Sequence, residues 1–348
     1  MQKKIEKLRG VISERCDAAI ICDPLNQFYF TGFDFTDGFL IVKKEGALLL
    51  ADSRYIEAAK SQAAGVVEVS LFSSADDLKN ALEGAENIAF EDNYVTCSDL
   101  RRYKKLHNAN FIGMGEKINE IRERKDEREK ECIISAQRIA EAAFDDLLGI
   151  INPDMTEKEV ALHLEFYMRS HGSDGVSFET IAVSGKRSSM PHGTPRDVKL
   201  EKGFLTLDFG ARYKGYCSDM TRTIVLGKAD EEMKRVYKTV LRAQQAAEEM
   251  LAPGVVCSEA DAVSRRIIDA KYPGTFGHGL GHGVGLYIHE EPRLSPKCKK
   301  ELKTGNVVTV EPGIYIEGKY GVRIEDMAYI TENGAEILTR APKNLIEI

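Results

Sequence analysis

The sequence lacks several features that mark specialised classes of protein. It contains no tryptophan, and no apolar run is long enough to span a bilayer. The N-terminal stretch MQKKIEKLRGVISE has no apolar core of the kind that a signal peptide requires. The net charge is −7, so no basic excess favours nucleic acid or an anionic membrane. We therefore expect neither of these as a partner.

Cysteine and histidine are also scarce, with seven residues of each. The cysteines are odd in number, scattered along the chain and free of C-x-x-C spacing, so nothing indicates a zinc–thiolate site. Free thiols in a reducing compartment fit this distribution best. The sequence therefore predicts a cytoplasmic protein.

The length of 348 residues indicates two domains. In the first third, strand patterns such as AAIIC (18–22) and GFLIV (38–42) alternate with helical patterns, which predicts an α/β domain over residues 1–122. The run RERKDEREKE (122–131) is charged at every position and has no net charge. We interpret it as the solvated start of a helix at the domain junction and not as a binding tail.

The remainder, residues 123–348, predicts an α+β domain with four helices packed against one antiparallel sheet. The helices are expected at 132–148, 156–172, 230–251 and 258–270, the second with a capping box at Thr156–Glu159 and the last capped by Ser258. The β patterns lie at 178–185, 204–210, 216–226, 306–316 and 322–331.

The stretch GHGLGHGVGLYIHE, residues 277–290, contains three of the seven histidines. His278 and His282 have the spacing of a zinc-binding helix, but each glycine inside a helix costs roughly 1 kcal/mol relative to alanine. We expect an extended or looped backbone that another backbone or a ligand approaches closely. In a regular strand His278 and His282 would share one face, and His289 would lie on the other unless a bulge intervened. Taken alone, the stretch fits a glycine-rich loop as well as a metal or catalytic site.

Four carboxylates occur in apolar strand patterns of the second domain. Asp208 lies in FLTLDFG, where we expect it to share a face with core residues, and the connection ARYKGY predicts a hairpin that brings Asp219 beside it. In VVTVEPG, Glu311 lies at the end of a β-branched strand, and Glu325 lies in VRIED. Any one of them alone would be an ordinary strand-end carboxylate facing water. Four in one domain indicate a cation site, because adjacent buried carboxylates repel one another.

Four carboxylates and one imidazole are enough ligands for two divalent ions. Oxygen ligands with a single nitrogen favour manganese or cobalt, with zinc and iron as the other candidates. Two ions roughly 3.5–4 Å apart serve aminopeptidases, phosphatases and nucleases. A phosphoesterase would need several arginines or lysines around the ions, whereas this chain has histidines in the corresponding motifs.

The motifs around these residues resemble those of the pita-bread metallopeptidases: prolidase, aminopeptidase P and, more distantly, methionine aminopeptidase. They are MPHGTP (190–195), TLDFGARYKGYCSDMTRT (206–223), GHGLGHGVGLYIHE (277–290), VTVEPGIY (308–315) and GVRIED (321–326). NQFYFTGFDFTDGFLIV (26–42) and ADSRYIEAA (51–59) resemble the lid domain of the proline-specific members. The resemblance implies an α/β N-terminal lid domain, 1–122, and an α+β pita-bread catalytic domain, 123–348.

The resemblance also implies roles for individual residues. The implied metal ligands are Asp208, Asp219, His282, Glu311 and Glu325, with Asp219 and Glu325 bridging the two ions. The implied residues around the substrate are His192, His278 and His289. Glu311 is further implied to shuttle a proton, and Arg323 to lie beside the last ligand.

The implied activity is dinuclear metal-dependent hydrolysis of the Xaa-Pro bond in di- or short peptides, carried out by a homodimer. Arg293, in HEEPRLS, is similar to a prolidase arginine that grips the proline carboxylate, for which a guanidinium is well suited. This favours a dipeptidase, and the alternative is an aminopeptidase P in which Arg293 is an ordinary surface residue. A non-catalytic peptide-binding member and a metal-free creatinase-like hydrolase are disfavoured, because all five ligand positions are present.

Overall fold

The computed structural model describes residues 1–348 and divides into two compact units, Met1–Arg122 and Glu123–Ile348. None of its helices combines the length and the apolar character needed to cross a membrane.

The first unit is an α/β domain built on one mixed sheet, which confirms the predicted class of the N-terminal domain. Its helices are α1 (Gln2–Ser13), α2 (Pro24–Thr31), α3 (Ile56–Gln62), α4 (Ala75–Ala81), α5 (Cys97–Leu106) and α6 (Gly115–Glu123). Its strands are β1 (Ala18–Ile21), β2 (Gly38–Lys43), β3 (Gly46–Ala51), β4 (Glu68–Leu71), β5 (Asn87–Phe90) and β6 (Asn110–Gly113). The strand order is β4-β3-β2-β1-β5-β6, antiparallel among β1, β2 and β3 and parallel elsewhere.

A fully buried carboxylate follows β5 in this unit. Glu91 accepts hydrogen bonds from the backbone amides of Cys22 and Asp23, at 2.5 and 2.8 Å, and from Asn26 Nδ2 at 2.6 Å. Burial raises the pKa of Glu91 to about 7, even though these donors favour the charged form. The network fixes the turn before α2 against the end of β5.

The second unit contains the four expected helices but not the expected single sheet. The helices are α7 (Glu127–Ile150), α8 (Glu157–Ser170), α9 (Glu231–Met250) and α10 (Cys257–Asp269). The strands are β7 (Gly175–Val176), β8 (Ile181–Ser184), β9 (Gly203–Phe209), β10 (Ala211–Tyr213), β11 (Tyr216–Cys217), β12 (Met220–Leu226), β13 (Gly281–Gly283), β14 (Glu290–Leu294), β15 (Val307–Val310), β16 (Gly313–Ile316), β17 (Tyr320–Arg323), β18 (Asp326–Ile330) and β19 (Ala335–Ile337).

These strands form four antiparallel sheets, with the orders β11-β10-β7, β12-β9-β8, β14-β13-β15-β18-β19 and β16-β17. The single sheet was therefore a wrong expectation, although its antiparallel character was right. Three of the long β patterns are each divided into two strands: β11 and β12, β15 and β16, and β17 and β18. The breaks contain Asp219, Glu311 and Glu325, respectively. Three of the four singled-out carboxylates thus lie at strand ends, where the backbone changes direction.

The charged run 122–131 is less solvated than expected. Helix α7 begins inside it, after the N-cap Asp126, whose side chain forms a capping box with Glu129. Lys125 is only 4% exposed, and its Nζ lies 2.9 Å from Glu290 Oε2 in a nearly inaccessible ion pair. A buried pair of this kind stays stable only while both partners are present. Part of the run therefore has a structural role inside the second unit.

Helix α8 begins with the expected capping box, in which Thr156 and Glu159 exchange side-chain and backbone hydrogen bonds. Helix α10 differs from the expectation. Its N-cap is Val256, which has no side-chain cap bond, and Ser258 lies inside the helix. The amides of Cys257 and Ser258 instead donate to backbone carbonyls of the segment around residues 298–300, so tertiary contacts replace the cap.

Candidate active site

The sequence analysis gave ten residues a metal-binding, catalytic or substrate-binding role. All ten line one cavity of the second unit, which has a volume of about 640 Å³. They are the implied ligands Asp208, Asp219, His282, Glu311 and Glu325, together with His192, His278, His289, Arg293 and Arg323. Strand ends and loops that are far apart in sequence supply them.

Asp208 and Asp219 reach the cavity by a different route from the expected one. In the β9–β12 pair Asp208 is opposite Thr221, and Asp219 precedes the first residue of β12. The segment between them forms the expected hairpin, in which β10 and β11 pair antiparallel. Strand alternation places Asp208 on the face of Thr206 and of the core residue Phe204, so Asp208 shares a face with a core residue as expected, although not with Leu207. The expected side-by-side register was therefore wrong, although both carboxylates line the cavity.

Close backbone packing explains the glycines around His282. A Cβ atom at Gly281 would collide with the carbonyl oxygen of Thr309, and one at Gly283 with the backbone of β14. The chain bends after β13 and returns as β14, with a register shift between the two strands. The centroid of the His289 ring thereby comes to 4.5 Å from that of His282. The stretch is a hairpin whose loop covers residues 284–289, so histidines expected on opposite faces become neighbours.

The protonation state of His282 leaves one ring nitrogen available as a ligand. Its Nδ1 lies 3.1 Å from the carbonyl oxygen of Gly283, an acceptor, so Nδ1 carries the hydrogen. Burial, followed by the charge of His289, lowers the pKa of His282 to about 3, which keeps the ring neutral. Nε2 therefore carries the unprotonated lone pair. This nitrogen lies 3.5 Å from Asp219 Oδ2 and 3.5 Å from Glu311 Oε1. A lone pair facing carboxylate oxygens is repulsive unless a cation lies between them.

The carboxylates themselves are in electrostatic conflict. Burial and then repulsion from Glu325 and Asp208 raise the pKa of Asp219. Burial and repulsion from Glu311 and Asp208 raise that of Glu325. Burial raises the pKa of Glu311 to about 8 despite the charge of Arg323. Acidic groups collected this closely are stable in the charged form only beside a cation.

The arrangement fits a divalent metal ion. One ligand atom each from Asp219, His282 and Glu325 lie within 4.8 Å of one another. Asp208 and Glu311 line the same cavity outside that triplet, and Asp208 Oδ1 is buried without any hydrogen-bond partner. Carboxylate oxygens with one imidazole nitrogen are donors that divalent transition metals accept.

Two threonines that sequence reasoning did not single out orient the carboxylates. Thr221 Oγ1 donates a hydrogen bond to Glu325 Oε2 at 2.6 Å, and Thr309 Oγ1 donates to Glu311 Oε1 at 3.2 Å. Each threonine is two residues from an acid, Thr221 from Asp219 and Thr309 from Glu311. The two-residue period of a strand is the signal that would have identified them.

Arg323 joins several of these groups. Its Nη2 donates to Asp208 Oδ2 at 2.6 Å, its Nε to Thr221 Oγ1 at 3.0 Å and its Nη1 to Tyr315 Oη at 2.8 Å. Tyr315 in turn contacts His278 Nε2 at 3.0 Å. Tyr315 carries no sequence signal, because a tyrosine in a strand pattern is typical of an ordinary half-buried position.

The three histidines expected around the substrate have different surroundings. His278 Nδ1 lies 2.8 Å from the Gly279 carbonyl oxygen and Nε2 accepts from Tyr315, so both nitrogens are already hydrogen-bonded. Burial, followed by the charge of Arg323, lowers the pKa of His278 to about 4. The ring nitrogens of His192 and His289 have no hydrogen-bond partner in the protein. These two hydrogen bonds suit His278 to holding Tyr315 in place. His278 also lines the cavity, and its expected position around the substrate stays a prediction.

Arg293 lies on β14 with its side chain exposed at the cavity. Its one hydrogen bond is a long contact of 3.4 Å from Nη2 to the carbonyl oxygen of His289. No carboxylate of the chain pairs with it, so the guanidinium is available to an anionic group.

Comparison with known families accounts for nearly the whole chain. Residues 131–332 match the sequence model of metallopeptidase family M24, and residues 4–124 match that of the creatinase/prolidase N-terminal domain.

Individual relatives match over their full lengths. An Xaa-Pro dipeptidase from Pyrococcus furiosus is 37% identical over 358 residues, which cover 99% of this chain and 100% of the relative. The structure of an Xaa-Pro dipeptidase from Bacillus anthracis matches with a TM-score of 0.96 at 38% identity, covering 99% of each chain. An X-Pro aminopeptidase from Thermotoga maritima matches with a TM-score of 0.92 at 37% identity, covering 99% of this chain and 100% of that one.

Proposed function

The chain belongs to metallopeptidase family M24, and we propose that it hydrolyses the Xaa-Pro peptide bond of dipeptides. The observation that carries the proposal is the convergence of four carboxylates and the His282 imidazole on one cavity of the second unit. The dipeptidase relatives, which match over their whole length, support the same substrate class.

The proposed cofactor is a pair of divalent ions, manganese or cobalt in preference to zinc or iron. The residues that would hold them are Asp208, Asp219, His282, Glu311 and Glu325. An oxygen-rich set with one nitrogen supports this choice of metals. Bound divalent ions supply Lewis acidity towards a carbonyl group and lower the pKa of water.

Other side chains of the cavity are proposed to move protons and to stabilise developing charge. The Glu311 carboxylate would carry a proton towards the departing prolyl nitrogen. His192 and His289, whose ring nitrogens are free of protein partners, would donate hydrogen bonds to the carbonyl oxygen as it becomes negative. None of these contacts requires an N–H on the residue after the scissile bond. They therefore suit proline, which has no backbone N–H.

Arg293 supports a dipeptidase, because only a dipeptide presents a carboxylate directly on the proline. A bidentate contact with that carboxylate is typically worth ~1.5–3 kcal/mol. This corresponds to roughly a ten- to hundredfold factor in kcat/KM. The second candidate is an aminopeptidase acting on longer Xaa-Pro peptides, which the Thermotoga maritima neighbour favours.

The test is to measure kcat/KM for Ala-Pro and Ala-Pro-Ala with Mn²⁺ or Co²⁺ supplied. We expect faster hydrolysis of Ala-Pro, and Arg293→Ala to lose roughly ten- to hundredfold on Ala-Pro but little on the tripeptide. Lys297→Ala, which removes an exposed charge from the same segment outside the cavity, is the matched control. Equal losses on both substrates would refute the role of Arg293. Faster cleavage of Ala-Pro-Ala would select the aminopeptidase, and hydrolysis of neither would refute the proposed function.

A further inference from the structure

We propose that the cavity wall formed by Phe178, Glu179, Thr180 and Ile181 is a binding subsite for a cationic Xaa side chain, lysine or arginine. The inference rests on the proposed function, because it takes the ligand of the cavity to be an Xaa-Pro substrate. The four residues are consecutive, lead into β8 and line the same cavity as the proposed metal ligands.

Glu179 is the one acidic residue of the cavity that the proposed chemistry leaves unused. Five acidic side chains line the cavity, and the other four are the proposed ligands. The Glu179 side chain is exposed and has no hydrogen bond or ion pair with the rest of the chain. A cationic group of a ligand would therefore displace only water from this carboxylate.

Thr180 supplies an independent indication that a polar ligand group belongs here. It is 3% exposed, and its Oγ1 is buried without a hydrogen-bond partner. A buried hydroxyl without a partner costs free energy, which a ligand donor recovers. A lysine ammonium has three N–H donors, an arginine guanidinium has five, and neither has an acceptor. The Glu179 carboxylate provides acceptors that such a group needs, and Thr180 lines the same cavity.

The apolar members of the wall suit the rest of a lysine or arginine side chain. Phe178 is half-buried and Ile181 is 8% exposed, so they offer an apolar surface beside Glu179. Lysine and arginine place their methylene stems along such a surface and keep the charged group towards solvent. A phenyl ring also attracts a cation placed over its face.

The cavity's own cations do not neutralise Glu179. Arg323 donates to Asp208, Thr221 and Tyr315, and Arg293 contacts the backbone of His289. The Glu179 charge is consequently available to distinguish a cationic substrate from a neutral one of similar size.

The experiment compares Lys-Pro with Met-Pro, a neutral substrate of similar length, on the metal-loaded full chain. We expect the wild type to prefer Lys-Pro, and Glu179→Gln to lower the Lys-Pro to Met-Pro ratio of kcat/KM by about three- to tenfold. Added NaCl should lower the same ratio in the wild type, because the contact is open to solvent. Glu249→Gln, which removes an exposed charge on α9 outside the cavity, should leave the ratio unchanged.

An unchanged ratio in Glu179→Gln would overturn the subsite, including the case in which both substrates slow equally. In that case Glu179 would serve the α-ammonium group that every dipeptide carries. Absence of hydrolysis of Ala-Pro, Met-Pro and Lys-Pro by the metal-loaded wild type would overturn the proposed function itself, and the subsite with it.

Discussion

Metal binding requires the charged form of Asp219, whereas the same charge destabilises the metal-free protein. Burial and repulsion from neighbouring carboxylates raise its pKa, so the charged form is unfavourable in the folded, metal-free protein at neutral pH. We predict that Asp219→Asn lowers bound metal and reduces Ala-Pro turnover by about two orders of magnitude or more. We also predict that the metal-free variant unfolds at the same temperature as the metal-free wild type or at a higher one.

Metal analysis, steady-state kinetics and thermal unfolding in chelator check this prediction. Asp145→Asn, a change of the same kind at an exposed position of α7, should alter neither property. Normal activity in Asp219→Asn, or a metal-free variant clearly less stable than the wild type, would show that Asp219 is not part of a strained ligand set.

Tyr315 offers a second test at this scale, because its hydroxyl connects Arg323 to His278. Tyr315→Phe removes this connection and keeps the ring. We predict a loss in kcat of about ten- to hundredfold with metal retained, since groups that orient ligands typically have effects of this size. The measurements are kcat, KM and metal content, with Tyr272→Phe as the control outside the cavity. An unchanged kcat would mean that the network does not position reacting groups.

The residues of the candidate active site, both those that line the cavity and those that orient them, differ in how far the sequence predicts them. The carboxylates were identifiable because acids are out of place in apolar strands, and His282 because of its motif. Sequence analysis missed Thr221, Thr309 and Tyr315, because residues with hydroxyl groups are common in strands. Their roles follow only from hydrogen-bond partners that the folded structure brings together. His278 was placed in the cavity by its motif, but its hydrogen bonds to Gly279 and Tyr315 depend on the folded structure.

At the scale of elements, helices were predicted more successfully than sheets. The capping box at Thr156 and Glu159 is a local signal, and α8 starts there. The division of the β patterns into four sheets depends on pairing between distant segments, which no local pattern contains. The breaks coincide with carboxylates because an acid at a strand end can leave the ladder and point into a cavity.

The start of α8 also holds the loop that carries His192. Glu157, which is fully buried, accepts hydrogen bonds from Ser184 N at 2.8 Å, Arg187 Nε at 3.1 Å and Arg196 N at 3.2 Å. We predict that Glu157→Gln lowers the free energy of unfolding by about 2–3 kcal/mol, because it leaves a largely buried guanidinium without its charge partner.

In the folded fraction, the same variant should raise KM for Ala-Pro, because the amide group that replaces Oε2 cannot accept from Arg187 Nε and Arg196 N. Chemical denaturation and kinetics well below the melting temperature measure the two effects. Glu159→Gln, on the same helical turn but exposed, should have the smaller effect on both. Equal effects of the two substitutions would contradict a special role for Glu157.

At the scale of the whole molecule, the two units should respond to different solution conditions. In the first unit the pKa of Glu91 is about 7, raised by burial from its usual 4.5. Between pH 4.5 and about 7, Glu91 therefore keeps its proton in the folded unit but loses it in the unfolded chain. Its contribution to stability is fully present below pH 4.5, declines as the pH rises to about 7 and is constant above that.

We predict that Glu91→Gln, which cannot ionise, gains stability relative to the wild type over this pH range. The gain between pH 4.5 and 7.5 should be on the order of 1–3 kcal/mol. Hydrogen exchange of peptides covering 18–22 and 87–91, corrected for intrinsic rates, reports on the first unit alone. A stability difference that does not change with pH would show that Glu91 is not protonated in the folded unit.

The central claim concerns the second unit, where the carboxylates and His282 are proposed to hold two ions that hydrolysis requires. The most direct measurement is to titrate metal-depleted protein with Mn²⁺ while following both bound metal and the initial rate of Ala-Pro hydrolysis. We predict negligible hydrolysis without metal and a rate that rises until two ions are bound per chain. Hydrolysis at the full rate by protein in which analysis detects no metal would contradict the claim.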